Sequence, residues 1–144
     1  MWKMALVLSG ILQMASGQAA VSKKNAEHYT WGQQCDGWYL VKDDQMTIIE
    51  ERMPPGTAET FTSTRSRDSF LFVLAGSAVM EHGGAVTTLP AGTGIEIPPG
   101  VPHRILNKSG TDLEMLGYFT AAQPRGSGRD RFSRAKVVSQ QPIS

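Results

Sequence analysis

The side chains best suited to chemistry near neutral pH are three histidines, His28, His82 and His103, and one cysteine, Cys35. An imidazole can anchor a ligand, move a proton or bind a metal. His103 has the most informative setting, the run GTGIEIPPGVPHRILN over residues 92–107. The two-residue period of a strand puts His103, Ile105 and Asn107 on one face. Gly92 and Gly100 permit backbone angles that a side chain forbids, and Pro98 closes the preceding strand. His82 precedes Gly83-Gly84 and reads as an exposed turn residue. His28, in NAEHYTW, reads as structural beside Tyr29 and Trp31. A lone cysteine excludes an internal disulfide and a thiolate metal cluster, and Cys35 carries no signature of a nucleophile. Arg65 and Arg67 could meet an acidic ligand, but Asp68 adjoins them and a solvated loop is the plainer reading. Glu59 and Glu96 read as charges on an outer strand face, and Trp31, Trp38 and Tyr39 as core or subunit interface.

The elements that position these residues are short. Runs rich in β-branched and aromatic residues occupy 38–42, 45–53, 69–74, 78–81, 85–89, 94–97, 103–107 and 113–119. Turns at 54–56, 82–84 and 90–92 separate several of them. No long stretch after residue 25 has a helical period. Fifteen glycines and eight prolines in 144 residues fit such a turn-rich chain. The pattern is that of an all-β sandwich or barrel, and the length fits one domain. A net charge of +1 gives no reason to expect nucleic acid or an anionic membrane surface as partner. At the N-terminus, Lys3 precedes an apolar run over 5–14, and small residues follow at Gly17, Ala19 and Ala20. That order is the one found in secretory signal peptides, and the run is too short for a stable membrane span. Cleavage as a signal implies a secreted or periplasmic protein; otherwise the reading is cytoplasmic. The expected organisation is an extension over 1–21, a domain over 22–122, and a basic, loose tail over 123–144.

Residues 92–107 fit G-x5-P-x-G-x2-H-x3-N at Gly92, Pro98, Gly100, His103 and Asn107. This resembles the second motif of the cupin superfamily. Residues 25–41, 51–56 (ERMPPG) and 128–131 are similar to small single-domain (type-2) bacterial cupins, so the resemblance spans about residues 22–132. It implies a jelly-roll β-barrel (double-stranded β-helix) and a homodimer, with 31–41 as the candidate contact. It also implies a divalent metal held by two histidines, a Glu or Gln, and a later histidine. In the first motif, G-x5-H-x-H-x3-4-E-x6-G, Gly56 and Gly76 mark the ends, and the ligand positions fall on Thr62, Thr64 and Ser69, with His103 the fourth. The shorter gap gives Ser63 and Arg65, or Asp68, and restores no site. Neutral hydroxyls bind divalent transition metals poorly. A degenerate metal site and no cofactor are therefore expected, with a divalent metal as the alternative.

Thr62, Thr64, Ser69 and His103 are expected to face one another inside the barrel. Leu71, Ile105, Asn107 and Met115 should line the same pocket, with Phe61, Val73 and Ile95 as further apolar wall. The leading functional reading is a small-molecule-binding protein centred on His103. The alternatives are a polar relic without chemistry, a metal-independent isomerase or cyclase using His103 as acid–base, and a metal-dependent oxygenase or isomerase. The last rests on family analogy alone. Whether the chain is an enzyme stays open.

Overall fold

Apolar runs broken by Gly- and Pro-bearing turns fold into ten strands: β1 (Glu27–Trp31), β2 (Cys35–Lys42), β3 (Met46–Met53), β4 (Ser69–Ala75), β5 (Ser77–His82), β6 (Ala85–Pro90), β7 (Thr93–Ile97), β8 (His103–Leu106), β9 (Leu113–Thr120) and β10 (Val137–Ser139). The structure is a computed structural model and describes residues 19–32, 34–63, 67–121 and 137–139. No helix occurs among them, so none is long and apolar enough to cross a membrane. Strands β2–β9 are those expected from the sequence. β1 is an addition; Glu27, His28 and Thr30 are exposed, so it lacks the apolar signal that marks a strand. Of the basic tail expected to be loose from residue 123, the described part is Val137–Ser139, which pairs with β7. The N-terminal apolar run and Thr64 lie outside the described residues.

The strands form a seven-stranded sheet, ordered β1-β2-β3-β9-β4-β7-β10, and a three-stranded sheet, ordered β6-β5-β8. All pairs are antiparallel. The two sheets share one core, the arrangement of a jelly roll. Met53, Leu71, Val73, Ile95, Leu113 and Met115 come from the larger sheet, and Ala78, Met80, Leu89 and Ile105 from the smaller. Full burial of each large side chain contributes about 1.5–3 kcal/mol. Tyr29, Gly37, Glu51, Met115 and Val73 stand in one register row across the larger sheet. Met115 and Val73 are fully buried, so this row, Glu51 included, lies on the inner face. Gly37 belongs there because a Cβ would collide with the Tyr29 ring. Trp38, Ile48, Phe70, Phe72, Leu116 and Tyr118 occupy the opposite face, and none is fully buried.

Two motif glycines share a positive φ for different reasons. Gly76 has φ +79°, and a Cβ there would lie 2.5 Å from the Asp112 carbonyl oxygen. Gly100 has φ +78°, and a Cβ would meet nothing within 4 Å. Gly100→Ala should therefore cost only the left-handed backbone penalty, about 1 kcal/mol. Gly76→Ala adds a backbone collision and should cost about 3 kcal/mol or more. Urea unfolding of the two variants measures the difference; equal losses would show that Gly76 is not sterically required.

Candidate functional site

β8 alternates inner and outer side chains, and His103, Ile105 and then Asn107 point inward and are buried. His103 is 7% exposed. Its Nδ1 lies 3.0 Å from the Val101 carbonyl oxygen, which can only accept, so Nδ1 carries the proton. In the neutral ring Nε2 is then the lone-pair acceptor, and it makes no hydrogen bond among the described residues. His82 proves to be part of this site. It ends β5 directly opposite His103, so the two share a face. Its Nε2 is 3.1 Å from the Thr87 hydroxyl, and the residue is partly buried rather than the exposed turn residue expected from the sequence. The following Gly83-Gly84 masked its strand position.

The other expected members divide. Thr62 exchanges two backbone hydrogen bonds with His103, at 3.0 and 2.9 Å, but is exposed. Ser69 is 4% exposed and donates its hydroxyl to the Ile97 carbonyl at 3.3 Å. Leu71, Ile105, Met115, Val73 and Ile95 are buried together. Phe61 is not a wall of the interior: it is 52% exposed and lies under the Arg104 guanidinium, 4.5 Å from ring centroid to Cζ. Asn107 is committed to the fold. Its amide donates to the Met53 and Thr111 carbonyls, both at 2.8 Å, and its oxygen accepts from the Ser109 backbone and hydroxyl. The donor set does not fit the family's metal. Hydroxyls stand at Thr62 and Ser69, and no three His, Cys, Asp or Glu side chains among the described residues are grouped to hold an ion. A cleft of about 310 Å³ lies elsewhere, lined by Asp43, Asp44, Arg67 and Thr120 among others.

A second polar group occupies the interior near Ile105. The Glu59 carboxylate accepts the Ile105 backbone N–H at 3.0 Å. Glu59 is thus turned inward, contrary to the outer-face reading; between the Ala58–Leu106 and Thr62–His103 bridges the segment carries one residue more than β8, a bulge. Burial first, then the Glu51 charge, push the Glu59 carboxyl up to about 7. Burial also raises Glu51, opposed by the Tyr29 hydroxyl, which donates to it at 2.7 Å, and by the nearby Trp31 indole. That indole N–H is buried, points to Glu51 without reaching hydrogen-bond geometry, and has no other partner among the described residues. Burial likewise raises the Tyr29 phenol and the Cys35 thiol. His28, by contrast, sits on the outer face against Trp38 and bonds Asp36 at 2.9 Å.

A cupin-domain family model matches residues 49–119. Three solved structures of similar fold are KdgF from a Halomonas species (12% identity, 73% of this chain and 96% of that one, TM-score 0.66), an RmlC-like cupin from Shewanella frigidimarina (17%, 74% and 93%, 0.66), and a predicted oxalate decarboxylase from Thermotoga maritima (18%, 72% and 99%, 0.64). No protein of curated function matches the sequence. Residues 49–119 belong to the cupin-domain family, and the fold is that of solved cupins. At these identities the structural likeness shows the fold alone; membership supports a small-molecule-binding or enzymatic role of the general cupin kind.

Asn107 offers a test that separates structure from chemistry. Asn107→Ala strands the buried Met53 carbonyl and the part-buried Thr111 carbonyl and should cost about 2 kcal/mol in urea unfolding. Asn107→Asp keeps the shape but turns oxygen toward the Met53 and Thr111 carbonyls, so it should be at least as damaging. A mild Asn107→Asp would contradict the structural role.

Proposed function

We propose that the barrel binds a small, largely apolar molecule through a hydrogen-bond donor presented to His103, without a divalent metal. The observation that carries this reading is the buried His103 ring, whose Nδ1–H is held by Val101 and whose Nε2 has no protein partner among the described residues. Ile105 shares the inner face of β8 with His103, and Leu71 and Met115 belong to the same apolar interior, the kind of lining an apolar ligand would meet. His82, across the strand pair, favours a second reading: a metal-independent isomerase or cyclase in which His103 accepts a proton and His82 returns one.

Two measurements test the first reading. Purified protein should contain far less than one transition metal per chain; stoichiometric metal lost on His103→Ala would restore the metalloenzyme reading. Simple phenols, which pair an apolar ring with a hydroxyl donor, should move the His103 Nε2 resonance in 15N-labelled protein. His103→Phe should weaken their binding about tenfold, the order expected for one buried hydrogen bond. Unchanged phenol affinity in that variant would sink the reading.

For the homodimer expected from the sequence, with 31–41 as its contact, we propose the outer face of the larger sheet instead. Trp31 packs on the core, whereas Phe70, Phe72, Leu116 and Tyr118 form an apolar stripe without a covering layer among the described residues. Light scattering at micromolar concentration should give a dimer, and Leu116→Glu a monomer. A wild-type monomer would remove this assignment.

A further inference from the structure

We propose that Glu59 is a pH-sensitive latch on the seam between residues 56–62 and β8, closing the barrel beside His103 while its carboxyl is protonated and loosening it on ionisation. The seam is stitched by backbone bonds on both sides of Glu59. Gly56 N–H donates to Asn107 and Asn107 N–H to Thr57, both at 2.9 Å; farther along, Thr62 and His103 pair. Between them Glu59 N–H donates to the Ile105 carbonyl at 2.8 Å. The return bond from Ile105 N–H goes to the Glu59 side chain, because the bulge leaves no backbone carbonyl in register. One titratable side chain therefore substitutes for a ladder acceptor.

Its surroundings oppose a charge. Glu51 faces it from β3, and Tyr29 of β1 and Cys35 of β2 feel both carboxylates. Tyr39 of β2 couples to Tyr29. On β8, His103 stands two residues before Ile105, while Arg104 is turned outward to Glu81 at 2.7 Å. No cation among the described residues offsets the charge on Glu59. Burial and Glu51 outweigh the single bond to Ile105, which alone favours the ionised form. The flanking residues Ala58, Thr60 and Phe61 are exposed, so water is within reach once the carboxylate turns out. A folded carboxyl raised from 4.5 to about 7 stabilises the closed seam fully below about pH 4.5. That advantage is lost as pH rises through 7 and does not decline further above it.

The test is amide hydrogen exchange of Ile105, Glu59, Thr62 and His103, corrected for intrinsic rates. Protection should fall about fortyfold between pH 5 and 7 and level off above about pH 8, while core amides of β4 and β9 hold theirs. Glu59→Gln, which still offers a carbonyl acceptor, should make protection at the seam independent of pH. Glu51→Gln should shift the transition to lower pH without abolishing it. Seam protection that ignores pH in the wild type, or a pH dependence that survives Glu59→Gln, would overturn the latch. Its relevance to ligand access rests on the reading of His103 above. Phenol binding insensitive to His103→Phe, with the exchange pattern intact, would defeat that reading and leave the latch standing.

Discussion

The pairing of residues 56–62 with β8 is the constraint on which the rest of the molecule depends. β8 has four residues and lies at the edge of the smaller sheet. Its free side would otherwise present unpaired N–H and C=O groups. A regular strand could cover that edge, but Pro54-Pro55-Gly56 delivers the chain at an angle, and the segment meets β8 through a bulge. Backbone bonds secure its two ends, and a carboxylate fills the gap between them. Three features follow from this one seam: the buried position of His103, the complete bonding of Asn107, and the inward turn of Glu59.

The fold was largely legible because each core strand carries its own apolar signal and each turn its own glycine or proline. Gly92 and Gly100 indeed take positive φ, and His103 and Asn107 share the inner face that their spacing requires. Legibility failed where a residue's direction depends on pairing rather than on local sequence. Glu59 looked like an outer charge because a carboxylate is ordinarily solvated, and no local signal marks the bulge that turns it inward. His82 looked like a turn residue because two glycines follow it, yet its partner across the strands is His103. Phe61 is apolar and adjacent to the motif, but the same bulge carries it outward to Arg104. β1 was missed for the opposite reason: only Tyr29 and Trp31 turn inward, and both serve Glu51 and the core rather than a continuous apolar face.

Hydroxyl residues at the family's metal-ligand positions are tolerated for a simple energetic reason. A buried imidazole or carboxylate without its ion would leave strong polar groups unsatisfied, each costing roughly 1–3 kcal/mol. Ser69 avoids this because its hydroxyl has a local acceptor in Ile97. Thr62 avoids it by reaching solvent. These two hydroxyls are therefore satisfied where they stand, whereas His103 Nε2 has no protein partner among the described residues.

The polarity that the ligand positions lack is retained around Glu51. Tyr29 and Trp31 approach one carboxylate from β1, which lies outside the two motifs that define the family, and Glu59 approaches from the seam. A carboxylate in such a setting survives only if donors compensate for lost water. Glu51 has a phenol donor at 2.7 Å, whereas Glu59 has one backbone N–H and a like charge nearby. Burial raises both carboxyls; the Tyr29 phenol opposes the rise at Glu51, whereas at Glu59 the Glu51 charge adds to it and the opposing donor is the Ile105 N–H, whose loss opens the seam. Stability of the fold and the ionisation of a single side chain are coupled there, at the edge that also carries His103.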